Sequence, residues 1–511
     1  METDKVKVPP TYRPMTVSSG VRVSAERDGG KIALICGDRS LTFGRLVNRI
    51  DRVASLAMGG LGLQRGDRAA IVAGNCLEFI EIVAGISDAG VAIATINPRQ
   101  TSAEIAYIVN DCGARVVFVT PQTEPLVHAA DLPAVERIIV IGQPYEDLLA
   151  QARGVPQLPR VHEWDAFAIP YTSGTTGKPR GVTLPHRSRV LNFFGMAVEY
   201  GCYAPDTHYL ATAPLFHGAG YAFAQASIYF GGSCEILTSF EPEVVLRKLH
   251  TTPVVGTFMV PTHFHGIFAL ENSILEANRG VTLKGLVSNA APLAQRTKEQ
   301  IVDYFGAGIL HETYGSTEAS IVTNLRPVDQ LRKMQCVGKP FNMNQVKLIG
   351  EDGHEVKPGE VGELYSNSPY LYLGYWQQPE ATAAAMKDGW FSAGDLARQD
   401  EEGYIYLVDR KKDMYISGGV NVYPREVEEQ LFRIPGIKEA AVIGVADAYW
   451  GEVGRAFVVR AAEAVVTEDD VRAWCKQHLA GYKVPHQIRF VDGLPRNAAG
   501  KVLKTDLRNL T

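Results

Sequence analysis

The chain has 511 residues, of which 46% are apolar and 21% charged, and its formal charge is −5. At about 150 residues per domain it has room for roughly three domain-sized units. The composition excludes a disordered chain, a collagen and a coiled coil. The slight acidic balance excludes bulk nucleic-acid binding, which needs a concentrated positive field.

Seven cysteines, at 36, 76, 112, 202, 234, 336 and 475, are scattered and odd in number, with no C-x-x-C. That pattern fits neither a disulfide framework nor a zinc ribbon. The opening METDKVKVPP has no apolar core, so no secretory signal is expected. The most apolar stretch, 77–96, is interrupted by Glu78, Glu81 and Asp88, so no transmembrane segment is expected. The final RNLT is not a peroxisomal address. A cytoplasmic location is the expectation.

In chain order, 68–73 (RAAIVA) predicts a strand, 77–89 a helix, and 114–120 and 137–141 two more strands. The alternation resumes with a helix at 241–250, strands at 254–259 and 284–288, a helix at 294–305 and a strand at 309–313. Such alternation predicts α/β layers around a largely parallel sheet. From about residue 346 turn pairs crowd in: Asp352-Gly353, Pro358-Gly359, Asp388-Gly389, Glu402-Gly403. Short β-like runs at 362–366 and 404–408 lie among them and predict a β-rich subdomain. The C-terminal part predicts a compact α+β unit, with helices at 424–432 and 468–479 and strands at 440–445 and 455–459. The boundary is expected at 409–413.

Four segments carry candidate chemistry. The first, 171–182, reads YTSGTTGKPRGV. Its small residues let backbone N–H groups converge on an anion, and its hydroxyls and cations add donors. It is not a Walker A loop, and by composition alone a plain connector competes with a phosphate loop. The second, YGSTE at 314–318, offers a ring, two hydroxyls and a carboxylate suited to Mg²⁺. By itself it reads more readily as a capping turn. The third, 389–428, contains Asp395 after Gly394, the cations Arg410, Lys411 and Lys412, and Ser417-Gly418-Gly419. A carboxylate in that turn could hold both ribose hydroxyls, although a solvated turn is the commoner meaning. The fourth, LPRNAAGKVLK at 494–504, places Lys501 after a glycine, where a surface charge is the ordinary reading. No G-x-S-x-G, H-E-x-x-H or G-x-G-x-x-G occurs. His263 and His265 have no nearby carboxylate or cysteine to complete a metal set.

Taken together and in this order, YTSGTTGKPRGV, YGSTE, GWFSAGD, VDRKKDMYISGGVNVYP and PRNAAGK are specific. Over nearly its whole length the chain resembles the adenylate-forming superfamily, which includes acyl-CoA synthetases, peptide-synthetase adenylation domains and firefly luciferase. Within it the likeness is to AMP-forming fatty- or aryl-acid–CoA ligases. The resemblance implies a large N-terminal domain of layered sheets and helices, with the β-rich subdomain, over 1–410. A small mobile α+β C-terminal domain would cover 411–511. It implies ATP, Mg²⁺ and CoA, and a reaction in which a carboxylate attacks the α-phosphorus of ATP and a thiol then displaces AMP.

On the same basis Thr172, Ser173, Gly174, Thr175, Thr176, Gly177 and Lys178 would hold the β- and γ-phosphates. Tyr314 would stack on adenine, with Asn289 and Ala290 along the base. Thr317 would contact the α-phosphate, Glu318 would bind Mg²⁺, and Asp395 with Arg410 would grip the ribose. Lys501 would bridge carboxylate and α-phosphate and offset their charge. Lys412 would be the hinge on which the C-terminal domain turns, and Gly418 and Gly419 would line the CoA tunnel. His217 stands where peptide-synthetase domains carry an aspartate for the α-amino group, so an amino acid substrate is not expected. His217 is instead expected beside the reacting carboxylate.

Gly218, Phe258 and Gly315 join His217 in the expected acyl pocket. None of the pocket residues named from the motifs is Lys or Arg, so the expected substrate is a medium-chain fatty, aryl or alicyclic monocarboxylic acid. No carrier domain follows Lys501, so free CoA is the expected acceptor. Two alternatives stand beside this reading: transfer to a carrier protein, and a non-catalytic binding relic. A homodimer is compatible with the sequence, which contains nothing that fixes the oligomeric state.

Overall fold

The computed structural model describes residues 11–152, 160–173, 178–461, 464–496 and 502–510. Its contacts divide the chain into two compact units: Met1–Gln345 with Ser366–Phe391, and Val346–Tyr365 with Ser392–Thr511. It is a mixed α/β protein in which several sheets are covered by helices.

In the first unit, nine strands among the described residues form one sheet. Their order is Lys339–Pro340, Ser320–Leu325, Leu310–Ser316, Gly285–Ser288, Val254–Met259, His208–Ala211, Ser233–Ile236, Ile32–Cys36 and Arg39–Thr42. From Leu310–Ser316 to Ile32–Cys36 every neighbour is parallel. Antiparallel strands close both edges. The inner strands are buried on both faces, which is why stretches such as Gly285–Ser288 show no polar alternation. Leu246, Phe264, Leu286, Ile301 and Leu310 belong to the core on this sheet.

A second sheet of the same unit runs Gly374–Tyr375, Pro179–Pro185, Ala166–Ala168, Ala92–Ile96, Arg68–Val72, Val116–Val119 and Arg137–Val140. Its last five strands are parallel. The helix Leu77–Asp88 is buried along its whole length, carboxylates included. Each carboxylate has a partner: Glu78 takes Arg39 at 2.5 Å, Glu81 takes Arg49 at 2.5 Å, and Asp88 takes Arg22 at 2.7 Å. The interruptions in the most apolar stretch are therefore internal ion pairs. Among the described residues no helix is long and apolar enough to cross a membrane.

In the second unit, Val361, Gly362 and Glu363 pair with Arg398, Ala397 and Leu396, and Asp395–Gln399 pairs with Ile405–Arg410. A further sheet runs Val420–Val422, Tyr415–Ser417, Gly451–Arg460 and Ile437–Asp447, with Gln487–Phe490 parallel to Gly451–Arg460. Val427 and Leu431 of the helix Pro424–Leu431, and Val471 and Cys475 of the helix Glu468–His478, pack with Val442 and Val458. Thr467 and Asp470 close a reciprocal capping box at the start of Glu468–His478.

Several strands are longer than their apolar runs suggest. Ile437–Asp447 extends beyond 440–445 because Gly451–Arg460 pairs with it from end to end. The strand predicted at 309–313 runs on to Ser316 because Ser320–Leu325 folds back on it. That turn is tight: a Cβ on Gly315 would stand 1.9 Å from the Ser320 carbonyl oxygen. Behind the same strand, Lys298 of the helix Gln295–Phe305 forms a buried ion pair with Glu312. Lys298→Met would strand a buried carboxylate. It is expected to cost about 3–5 kcal/mol, read as a lower urea midpoint.

Candidate active site

Tyr171–Ser173 and Pro179–Pro185 form an antiparallel pair in which Thr172 faces Arg180. The candidate phosphate loop is the connection between them; Gly174, Thr175, Thr176 and Gly177 lie outside the described residues. The base of this hairpin is anchored twice: Tyr171 Oη donates to Asp111 Oδ2 at 2.5 Å, and Tyr107 Oη to the Pro179 carbonyl at 3.0 Å. The Lys178 ammonium is exposed and sits 5.8 Å from the centre of the Tyr107 ring. The Arg180 guanidinium lies 5.5 Å from the centre of the Tyr375 ring.

Tyr375 joins this hairpin to YGSTE. Gly374–Tyr375 pairs with Thr183 and Val182, and the Tyr375 phenol donates to Glu318 Oε1 at 3.0 Å. Burial and the Glu318 charge push the phenol's pKa up, so it stays protonated and remains a donor. Glu318 is buried, and its backbone carbonyl accepts from Tyr372 N at 2.8 Å. Among the described residues no hydrogen bond reaches its second carboxylate oxygen, and no cluster of three metal-binding side chains is present. One carboxylate suits Mg²⁺, which keeps its waters and takes its other ligands from substrate phosphates.

Three candidate segments lie at or just beyond the C-terminal ends of parallel strands and so emerge at one edge of the nine-stranded sheet. After His208–Ala211 comes His217, whose Nδ1 accepts from Ala219 N at 3.4 Å to cap the helix Gly218–Tyr229. His217 is solvent-exposed. Desolvation, with the Arg189 charge second, lowers its pKa and keeps it neutral. After Gly285–Ser288 comes Asn289, whose Oδ1 accepts from Ala290 N, while Ala290 holds the left-handed φ of 77°. After the body of Leu310–Ser316 come Tyr314 and Gly315, with Thr317 half-buried in the turn. Phe258, at the end of Val254–Met259, is buried and stacks on Phe223 at 4.6 Å.

In the second unit Asp395 and Arg410 are cross-strand partners, with Arg410 Nε 3.2 Å from Asp395 Oδ1. The two residues read as a ribose grip are thus brought side by side. Gly394, at φ 77°, turns the chain into Asp395; Ser392 Oγ accepts from Gly394 N and donates to Glu363. Burial lowers the pKa of Lys412. Gly418 and Gly419, at φ 58° and 82°, form the two-residue turn between Tyr415–Ser417 and Val420–Val422. Such a turn demands positive φ at both positions. A Cβ on Gly418 would also meet the Trp450 ring at 2.8 Å. Lys501 lies outside the described residues.

The motifs do not reveal three side chains that shape this site. Tyr375 and Arg189 carry no local signature. Asn75 binds the loop that carries His217: its Nδ2 donates to the carbonyls of Ala213 at 3.1 Å and Leu237 at 2.8 Å, and its Oδ1 accepts from Leu215 N at 2.7 Å. Thr95 Oγ1 adds a bond to the Phe216 carbonyl at 2.9 Å. The only sequence hint is the turn-like Gly74-Asn75 after an apolar strand. Asn75→Ala is expected to cost about 2 kcal/mol. By displacing His217 it should also lower kcat/KM by about tenfold or more; urea unfolding and steady-state kinetics check the two effects.

Known proteins resemble this chain over nearly its whole length. The AMP-binding enzyme family matches residues 21–376, and the AMP-binding enzyme C-terminal domain matches 426–501. Feruloyl-CoA synthase from Amycolatopsis sp is 36% identical over 474 residues, covering 92% of this chain and 94% of that protein. The 2-succinylbenzoate–CoA ligase of Geobacillus kaustophilus is 34% identical over 493 residues, covering 94% and 95%. The crystal structure of ATP-bound MatB from Rhodopseudomonas palustris superposes with a TM-score of 0.88 at 29% identity, covering 97% and 99%. The o-succinylbenzoate CoA synthetase of Bacillus subtilis, in complex with its acyl-adenylate, gives 0.85 at 27%, covering 97% and 98%. The chain belongs to the AMP-binding enzyme family and, within it, to the acid–CoA ligases.

Proposed function

We propose that this ligase activates a carboxylic acid with an apolar body, of medium-chain fatty, aryl or alicyclic type, and passes the acyl group to CoA. In the first step a carboxylate oxygen attacks the α-phosphorus of ATP and the bond to pyrophosphate breaks. In the second a thiolate attacks the acyl carbonyl and AMP leaves. The observation that carries the reading is the link from Arg180 through Tyr375 to Glu318, which sets a phosphate-loop cation and a buried carboxylate on one phenol. The relatives' names, feruloyl-CoA synthase and 2-succinylbenzoate–CoA ligase, support the substrate range.

In this reading Thr172 to Lys178 and Arg180 bind phosphates, Tyr314 stacks on the base, Asn289 and Ala290 border it, and Asp395 with Arg410 holds the ribose. Thr317 contacts the α-phosphate. Glu318, with one oxygen fixed by Tyr375, would hold Mg²⁺, which when bound offsets phosphate charge. Neutral His217 lies beside the reacting carboxylate without adding a cation, and Lys501 supplies the positive charge for adenylation. The domains divide at 410/411 with Lys412 as hinge, and Gly418 and Gly419 give thioester formation a bare backbone surface. The free cysteines support a cytoplasmic setting.

The decisive assay is AMP release from ATP and Mg²⁺ with a panel of carboxylic acids, with and without CoA. Catalytic AMP release only when CoA is present is expected. Pyrophosphate without CoA-dependent AMP would assign the acyl group to another acceptor. His217, whose pKa lies below the usual 6.5, should leave kcat/KM flat through that pH and lower it only in more acid solution. His217→Gln should lose roughly tenfold or more and show no such limb.

A further inference from the structure

Among the described residues, the buried Lys298 has a carboxylate partner in Glu312, and the half-buried Arg22 and Arg49 have Asp88 and Glu81. Arg189, near the start of the helix His186–Tyr200, differs from them. Its residue is only 5% exposed, its Nε is buried without an acceptor, and among the described residues no hydrogen bond or ion pair reaches its guanidinium. Burial holds its pKa down to about 10, so it is still charged at neutral pH. A buried, unpaired charge is one of the costliest arrangements a fold can keep.

The Arg189 side chain borders a small cavity with room for about one or two water-sized groups, lined also by Gly218, Tyr221, Phe167, Leu184 and Leu215. The Tyr221 phenol is buried and has no partner either. Gly218 opens the helix Gly218–Tyr229, whose N-terminus favours negative charge. A Cβ on Gly218 would lie 3.9 Å from a terminal nitrogen of Arg189. Gly218 also adjoins His217, the residue beside the reacting carboxylate. Among the lining side chains the donors outnumber the acceptors; Thr95 also borders the cavity, its hydroxyl engaged with the Phe216 carbonyl, and the remaining lining residues are apolar. A carboxylate matches the guanidinium fork with its two oxygens, and the cavity is on the scale of those oxygens.

We propose that Arg189, Tyr221 and the start of the helix Gly218–Tyr229 form a subsite for a second carboxylate of the substrate, making this ligase selective for dicarboxylic acids with an apolar spacer. The inference rests on the acid–CoA ligase reading and departs from the expectation of a monocarboxylate, because Arg189 comes from a helix outside the segments that mark the pocket. A site built to bind a polar group rejects the analogue that lacks it by several powers of ten.

The test measures CoA-dependent AMP release with length-matched pairs: alkanedioic against alkanoic acids, and carboxyalkyl-benzoic against alkyl-benzoic acids. The wild-type protein is expected to favour the diacid of at least one pair by about 100-fold or more in kcat/KM. In Arg189→Met that ratio is expected to collapse toward one through the KM of the diacid. Arg189→Lys, which keeps the charge but not the fork, should fall between. The wild-type ratios alone decide the matter if Arg189→Met does not fold. Monoacids equal to or better than every diacid would overturn the proposal. So would an equal loss on both members of a pair in Arg189→Met, which would place Arg189 at the reacting carboxylate. Monoacid turnover that rises with chloride at constant ionic strength, with no diacid preference, would assign the recess to a free inorganic anion and overturn it too. If no acid gives CoA-dependent AMP, the ligase reading itself fails, an outcome distinct from all of these.

Discussion

A parallel sheet ends all its strands on the same edge, and this protein's candidate site depends on that. Six neighbouring strands, from Leu310–Ser316 to Ile32–Cys36, run in one direction. The segments that follow two of them, at His217 and Asn289, and the last residues of a third, at Tyr314, therefore converge without any of them having to be long. Open α/β sheets bind ligands beyond the carboxyl ends of their strands for this reason. The backbone polar groups are spent inside the sheet, so the loops are free to carry chemistry.

Convergence alone does not fix side chains; buried and half-buried polar anchors do that. Asn75 pins three backbone groups around the His217 loop. Lys298 fixes Glu312 behind the strand that leads to Tyr314. Tyr375 orients Glu318 from a different sheet. These bonds span long sequence separations, and they act as one frame because each donor or acceptor, once buried, is costly to release.

That separation also explains what the sequence could and could not disclose. Strands such as Arg68–Val72 and Val254–Met259, and helices such as Leu77–Asp88 and Glu468–His478, lie within a residue or two of their apolar patterns. Periodicity and turn chemistry are local, so they are legible. The segments that hold Asp395 and Arg410 were also legible, and the structure makes these two residues cross-strand partners. Asn75, Tyr375 and Arg189 were not. Each is an ordinary residue in an ordinary context: a turn, a two-residue strand, and a helix whose HRSR start looks like a solvated face. Their significance comes from partners, or the lack of one, far along the chain.

The ends of the nine-stranded sheet have a consequence of their own. One edge is the two-residue strand Lys339–Pro340, exposed at both residues; the other is the short strand Arg39–Thr42, whose Arg39 and Ser40 are exposed. Proline offers no N–H, and a charged, brief edge gives an incoming strand little to pair with. A sheet this wide would otherwise present two templates for endless growth by chain-to-chain addition. Its blunted margins leave neither edge a long, flat template for an added strand.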